Sequence, residues 1–260
     1  MTRPTAALLF LLAVAACEAP ETSPPDAADD DDSTSGPEDG VGSPDVRIFG
    51  SIQQIFAEGD FSATANLQQE GAGADAIGLG ALSGLRGEIA IIEGEAWLGY
   101  PDGEDTITVA VANAPDEEAA LLVVGDVPQW VTFTIEEQLT YEGLTQVVED
   151  ILEAANWPDD GALPFKIEGA IERVDWHVID GSRLPEGEAS HDDYEQASVQ
   201  GSLVGGSPTL VGFYSTQHAG VITHGGVRLH VHVIDADRGV TGHVEDALIG
   251  AGSILSLPAP

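Results

Sequence analysis

Three histidines lie close together near the end of the chain, in the stretch LHVHVIDADRGVTGH that covers residues 229–243. They are His230, His232 and His243, and the whole chain of 260 residues has seven histidines. Imidazole is the commonest protein ligand for metals, and three ligands with a fourth position left to water or substrate are typical of catalytic zinc. The stretch therefore has two interpretations, a zinc site or solvated residues on an exposed hairpin.

The residues around these histidines predict a β-hairpin that brings the three imidazoles to one face. In VRLHVHVI the apolar residues at 227, 229, 231 and 233 alternate with Arg228, His230 and His232, as on the two faces of a strand. The turn sequence DADRG follows, and a turn centred between residues 237 and 238 places His232 opposite His243. Opposed Cβ atoms lie about 4.5–5.5 Å apart, and the diagonal neighbour is within reach. We therefore expect three converging imidazoles, as a zinc ion with Zn–N bonds of about 2.0–2.1 Å requires.

The same register places Glu245 opposite His230, on the histidine face of the hairpin. A carboxylate there has three roles open to it: a fourth metal ligand, a hydrogen-bond acceptor behind a metal-bound histidine, or a proton donor. The spacing alone does not decide among them.

The charge balance limits the partners of the protein. The chain has 8 Lys+Arg against 45 Asp+Glu, for a formal net charge of -37. Nucleic-acid binding needs basic side chains that displace counterions from phosphates, and docking on anionic lipid needs them as well. The composition therefore excludes both of these modes and favours attraction of cations.

The first residues predict a lipoprotein signal peptide over 1–16. Arg3 gives a positive start, and the apolar run from Ala6 to Ala16 is too short to span a bilayer as a helix. The run ends in VAAC, which resembles a bacterial lipobox, and Cys17 is the single cysteine of the chain. The resemblance implies cleavage before Cys17, a lipid on its sulfur, and a place in the bacterial cell envelope, periplasmic or at the surface. A plain secretory signal is the alternative.

Composition divides the rest of the chain in two. Residues 17–45 consist almost entirely of Asp, Glu, Pro, Ser, Gly and Ala, so we expect a disordered acidic tether. Residues 46–260 contain the apolar patterns of a folded domain. GEIAIIEGEAWLGY predicts two strands around a turn at Gly94, IFGSIQQIFAEGDF has helical spacing, and TYEGLTQVVEDILEAANW is the clearest helix. The pattern predicts an α+β fold of mixed or mainly antiparallel β-sheets with a few helices.

Two sequence motifs resemble those of the α-acetolactate decarboxylases. TLVGFYS followed by LHVHVIDADRGVTGHV is similar to the end of that family, where a strand with Gly-Phe-aromatic precedes HxH, ten residues and a histidine within Gly-Gly-His. The spacing is the same, with Thr241-Gly242-His243 in place of Gly-Gly-His. Ile77 to Gly103 resembles the family segment GLGT…LDGE, and IFGSIQQIFAEGDFSA resembles its opening helix. The resemblance covers most of residues 46–255.

The resemblance implies a fold, a cofactor and a reaction. It implies two β-rich halves packed as one unit, 46–165 and a metal-bearing half at 166–260. It implies Zn²⁺ held by His230, His232 and His243, and a carboxy-lyase that converts 2-acetolactate to acetoin and CO₂. The zinc would act as a Lewis acid on the substrate oxygens. The glutamate of the family's LDGE corresponds to Glu88, which is the candidate for proton handling.

This chain departs from the family pattern at three places. His177 stands where the family has an arginine facing the zinc pocket, and a histidine lacks the bidentate fork of arginine. The threonine of GLGT is Ala81 here. The family also carries an active-site glutamate in a C-terminal extension, and we expect no counterpart after SILSLPAP. We therefore count His177 and Glu245 as catalytic candidates, with Glu245 replacing that carboxylate or His177 as a fourth metal ligand.

Two other functions stay open at this point. One is a zinc-dependent enzyme that acts on a different oxo- or hydroxy-acid, and the other is a non-catalytic metal-binding surface lipoprotein. The expected partner is a small-molecule substrate, with no nucleic acid, membrane contact only through the N-terminal lipid, and a homodimer as one candidate assembly. His218 and His224 lie in the loop before the HxH strand. They have two possible roles, as part of a lid or pocket wall or as solvated loop residues.

Overall fold

A computed structural model describes residues 44–157 and 161–259. Its first sheet contains seven antiparallel strands in the order β1-β7-β3-β4-β5-β6, with β2 paired to β7. These strands are β1 (Val46–Phe49), β2 (Ala65–Asn66), β3 (Ala76–Leu82), β4 (Glu88–Ile92), β5 (Glu95–Pro101), β6 (Ile107–Asn113) and β7 (Glu118–Asp126). The two strands predicted around Gly94 are confirmed as β4 and β5.

The second sheet contains nine antiparallel strands in the order β12-β11-β15-β14-β13-β10-β16-β8, with β9 paired to β15. They are β8 (Trp130–Thr134), β9 (Leu139–Thr140), β10 (Leu163–Glu168), β11 (Ile171–Ile179), β12 (Ser198–Val204), β13 (Thr209–Tyr214), β14 (Leu229–Asp235), β15 (Val240–Ile249) and β16 (Ile254–Pro258). The change of sheet comes between Asp126 and Trp130, because β8 pairs with β16, the last of the described strands.

Four α-helices complete the described part of the chain: α1 (Ile52–Glu58), α2 (Leu67–Glu70), α3 (Tyr141–Ala155) and α4 (His191–Ala197). The expected α+β fold is confirmed. The clearest predicted helix is α3, in which Thr140 caps the N-terminus and the buried stripe is Leu144, Val148 and Ile151. None of the described helices is long and apolar enough to cross a membrane.

The helical spacing predicted from residue 48 holds only from residue 52, because a glycine separates a strand from the helix. Gly50 has φ +73°, and a Cβ at that position would lie 2.1 Å from the carbonyl oxygen of Ala120. The chain turns there, and Ser51 then accepts a hydrogen bond from the N–H of Gln54 as the N-cap of α1. Ile48 and Phe49 therefore belong to β1.

The two sheets pack against each other within one compact unit. Strand β4 of the first sheet contacts β14 and β15 of the second, which are the strands that carry the three histidines. Gly99 on β5 allows the close approach, because a Cβ there would lie 2.6 Å from the carbonyl oxygen of Thr241. The space between β4 and the histidine strands is therefore part of the protein interior. The predicted signal peptide and nearly all of the tether lie outside the described residues.

Candidate metal centre

Strands β14 and β15 form the predicted hairpin. Their register pairs His232 with His243, and the ladder continues through Ile234–Thr241 to Asp235–Val240. Strand β14 begins at Leu229, so Val227 lies before it and is 43% exposed. The predicted convergence is confirmed, because ligand atoms of His230, His232 and His243 all lie within 4.8 Å of one another.

The histidine face of the hairpin is buried between the two sheets. His232 is fully buried, His230 is 6% exposed, and His243 is partly buried. Every residue of β14 is buried, on both faces of the strand. The alternative of solvated residues on an exposed hairpin therefore does not hold.

The imidazoles are arranged as metal ligands would be. The Nε2 atoms of His230 and His232 lie 3.3 Å apart, which is about the separation of two nitrogens on a tetrahedral zinc with bonds of about 2.0–2.1 Å. Nδ1 of His230 lies 2.6 Å from the carbonyl oxygen of Ile222, so Nδ1–H donates and the Nε2 lone pair faces His232. At 3.3 Å the two nitrogens share either a proton or a cation, so the residues fit a bound metal.

Burial also keeps the cluster in the protonation state that a metal needs. Desolvation lowers the pKa of His230 to about 4, against the hydrogen bond to Ile222. Desolvation, followed by neighbouring histidine charges, holds the pKa values of His232 and His243 well below their ordinary value. At neutral pH all three side chains are therefore neutral and have a free nitrogen lone pair.

Glu88 faces this cluster from the first sheet. Its Oε2 lies 3.8 Å from Nε2 of His232, and the residue is 5% exposed. Burial raises the pKa of Glu88 to about 8, although the backbone N–H of Ile179 donates to its carboxyl group and opposes the rise. The side chain is thus a protonated acid at neutral pH, next to the candidate metal ligands.

His177 lies beside the three histidines. It pairs directly with His243 across β11 and β15, and the two ring centroids are 4.9 Å apart. Its Nδ1 lies 2.7 Å from Oε1 of Glu245. The set of mutually close ligand atoms contains the other three histidines and does not include His177. In the described structure, the partner of its Nδ1 is thus a carboxylate.

Glu245 does not pair with His230 as the hairpin register predicted. The β14–β15 ladder has its last pair at His232–His243, and β15 has an irregularity where Val244 pairs with Trp176 and Asp246 with Asp175. Glu245 is the extra residue of this bulge, and a bulge re-aims a side chain. Its side chain is 59% exposed and contacts His177, and the hydrogen bond from His177 is the main reason that the pKa of Glu245 is lowered.

A cleft of about 1050 Å³ opens onto the centre and is lined by Glu88, His177, His230, His243 and Glu245. His224 and His191 line it too, and His224 packs its ring against Phe56 at 5.3 Å. His224 is therefore part of the cleft wall, whereas Nδ1 of His218 lies 2.8 Å from Oγ of Ser215 within the loop.

Two features of the site have no signal in the sequence. The acceptor for His230 is a backbone carbonyl, that of Ile222, and α1 holds this loop because the N–H groups of Ile52 and Gln53 donate to Val221 and Gly220. Arg173 also lines the cleft, where it is ion-paired with Asp175 and Asp246. Carbonyl acceptors and cross-strand ion pairs depend on the fold, so residue types alone do not reveal them.

The fold and the site together define a two-sheet α+β protein with a buried candidate metal centre that opens onto a ligand-sized cleft. The chain belongs to the alpha-acetolactate decarboxylase family, whose model matches residues 48–256. No curated protein sequence matches the chain significantly.

Solved structures of similar proteins share the fold. The chain is 16% identical to an alpha-acetolactate decarboxylase from Bacillus subtilis strain 168, with a TM-score of 0.65 over 82% of this chain and 86% of that one. It is 17% identical to an acetolactate decarboxylase from Bacillus subtilis subspecies spizizenii, with a TM-score of 0.62 over 83% and 86%. A Staphylococcus aureus protein of unknown function, similar to alpha-acetolactate decarboxylase, is 16% identical, with a TM-score of 0.64 over 82% and 84%.

Proposed function

We propose that the protein is a carboxy-lyase that decarboxylates 2-acetolactate to acetoin and CO₂, with zinc held by His230, His232 and His243. One observation carries this proposal. Three neutral histidines, suited to hold a metal, face a buried and protonated Glu88 across the space between the sheets. Membership of the family supports the same reaction class.

The reaction needs an electron sink and a proton. The bond between C2 and the carboxyl carbon breaks, CO₂ leaves, and the electron pair delocalises onto the neighbouring ketone oxygen. One proton must then be added at carbon, so that the acid anion plus one proton gives acetoin plus CO₂. Zinc bound by the three histidines would supply a Lewis acid for the ketone and hydroxyl oxygens of the substrate.

Glu88 is the proposed proton donor. It lines the cleft, and in the metal-free protein burial raises the pKa of its carboxyl group to about 8. The N–H of Ile179 donates to this carboxyl group and would hold it in one orientation. A positioned acid with a pKa near the working pH is efficient in proton transfer.

His177 and Glu245 are proposed to position the substrate. His177 lines the cleft next to His243, and Glu245 accepts its Nδ1–H, which fixes the ring and leaves Nε2 for a substrate oxygen. The pair would thus orient the substrate hydroxyl group, which can donate to Nε2, without the bidentate grip that an arginine provides.

The test is acetoin formation by the full-length chain with one equivalent of zinc and 2-acetolactate, against a chelated control. Zinc-dependent acetoin above spontaneous decay supports the proposal. Zinc that binds without acetoin formation would favour an enzyme for another oxo- or hydroxy-acid, or a non-catalytic metal-binding lipoprotein.

We also propose that Cys17 is lipidated and that an acidic tether joins the lipid to the domain in the bacterial envelope. The support is the lipobox-like VAAC at the only cysteine of the chain. Mass spectrometry of the detergent-extracted mature protein tests this, because an N-terminus without acyl mass would contradict it.

A further inference from the structure

The cleft has a continuous apolar wall next to the proposed chemistry. Its members line the cleft and belong to one cluster of packed hydrophobic residues: Ile52, Ile55, Phe56, Leu85, Leu121 and Tyr194. We call this set the apolar wall. Three of its residues come from α1, and α4 is attached to α1 because Tyr194 Oη–H donates to the carbonyl oxygen of Ile55 at 3.1 Å.

The hydrophobic cluster that contains the apolar wall extends to Glu88. Ala81 pairs directly with Glu88 across β3 and β4, and it both lines the cleft and packs in the same cluster. Ile179, whose N–H donates to Glu88, also belongs to the cluster and lines the cleft. An apolar group attached to a substrate at Glu88 would therefore find apolar contacts from there to Phe56.

The outer part of the wall is aromatic. Phe56 and Tyr194 pack edge to face with centroids 4.6 Å apart, and the ring of His224 lies 5.3 Å from Phe56. Phe56 is only partly buried by the protein itself. A planar or branched apolar group would cover its remaining surface.

The size of the cleft agrees with a larger ligand. Pockets of about 300–1,000 Å³ enclose drug-sized ligands. Such ligands are several times larger than a five-carbon acid. This cleft, at about 1050 Å³, lies just above that range. A five-carbon substrate would leave the exposed part of Phe56 in contact with water, whereas the other members of the apolar wall are 5% exposed or less in the protein itself.

We propose that the preferred substrate is a 2-hydroxy-3-oxo acid whose 2-substituent is an apolar group larger than the methyl group of 2-acetolactate, and that this group lies along the apolar wall. The inference rests on the proposed function for the reacting end. It adds that the wall, and Phe56 in particular, determines specificity.

The first test compares 2-acetolactate with homologues in which ethyl, propyl or phenyl replaces the 2-methyl group, on the zinc-loaded full-length chain. Each buried methylene should raise kcat/KM about fourfold, so the propyl homologue should exceed 2-acetolactate about 15-fold. A flat or falling series, with 2-acetolactate turned over, overturns this inference and leaves the proposed function standing.

Variants locate the effect on the wall. Phe56→Ala should lower the propyl-to-methyl ratio of kcat/KM to about 3 or less. Ala189 also lines the cleft, so Ala189→Phe should narrow the cleft and lower the ratio too. The matched control is Phe133→Ala, a partly buried phenylalanine on β8 outside the cleft, which should keep the ratio. A propyl-to-methyl ratio that falls in Phe133→Ala and stays unchanged in Phe56→Ala and Ala189→Phe would contradict the assignment.

If neither 2-acetolactate nor any homologue is turned over, the proposed function is refuted. A binding measurement then still tests the apolar wall. Calorimetry compares the affinities of lactate and 2-hydroxyoctanoate for the zinc-loaded chain. At least tenfold tighter binding of the longer acid, reduced in Phe56→Ala, would support the apolar wall as a tail site. Equal affinities would overturn it.

Discussion

Glu88 Oε2 and His232 Nε2 lie 3.8 Å apart, although the two residues belong to different sheets. Both side chains are buried, and each is in its neutral form at neutral pH because desolvation disfavours the charged form. The contact places the candidate proton donor next to the candidate metal ligands. A substitution of Glu88 should therefore affect turnover, and a substitution of His232 should affect metal binding.

Replacement of Glu88 by Gln should remove proton donation and leave the metal ligands intact. We expect kcat for acetoin formation to fall by about 10²- to 10⁴-fold, while zinc stoichiometry stays at one. Steady-state kinetics and metal analysis of the same sample measure the two quantities. Glu95→Gln on β5, which does not line the cleft, is the matched control and should retain activity. Full activity in Glu88→Gln would exclude Glu88 as the acid.

The metal-free protein should lose stability as pH rises, because of Glu88. Its folded-state pKa of about 8 exceeds its ordinary value of 4.5, so between these values the folded state holds a proton that the unfolded state has lost. The contribution of Glu88 to the free energy of unfolding is therefore fully present below about pH 4.5 and is lost as pH rises through about 8. The loss is on the order of a few kcal/mol. Urea denaturation of the chelated protein between pH 5 and 9 measures this.

Glu88→Gln supplies the comparison for that pH dependence, because glutamine cannot ionise. The difference in unfolding free energy between wild type and Glu88→Gln should change with pH in this window, in favour of the variant at high pH. The lowered pKa values of the buried histidines reduce stability as pH falls below about 6.5. They do so in wild type and in the variant alike, so this effect cancels in the difference. A constant difference would show that Glu88 is ionised in the folded state.

Metal binding should stabilise the domain through the three histidines. At a free zinc concentration of 100 Kd the gain is about 2.7 kcal/mol, which corresponds to a Tm increase of about 5–10 °C for a domain of this size. His243→Ala should abolish the zinc-dependent shift. His191→Ala removes a histidine at the cleft that is 84% exposed, and should keep the shift. Equal shifts in both variants, measured by thermal scans with and without chelator, would place the metal elsewhere.

The hairpin could be predicted from the sequence because its signals are local. Alternation in β14 and the turn residues define the His232–His243 register, and the stripe of α3 is a local pattern as well. The bulge at Glu245 could not be predicted, because it arises where β15 pairs with β11, a strand far away in the chain. The proximity of Glu88 to His232 depends on the packing of two sheets, and only the family resemblance indicated a role for Glu88 beforehand.

His177 should contribute to turnover without acting as a metal ligand. Because its Nδ1 donates to Glu245 and it lies outside the close ligand set, His177→Ala should change zinc affinity by less than about tenfold. The same variant should lower kcat/KM by about 10- to 100-fold, since the substrate loses an oriented hydrogen-bond partner. Glu245→Gln should show a smaller loss of the same kind, because an amide can still accept the Nδ1–H of His177. Competition with a chelator measures zinc affinity, and acetoin formation measures turnover. A loss of zinc affinity of 10³-fold or more in His177→Ala would instead identify His177 as the fourth ligand.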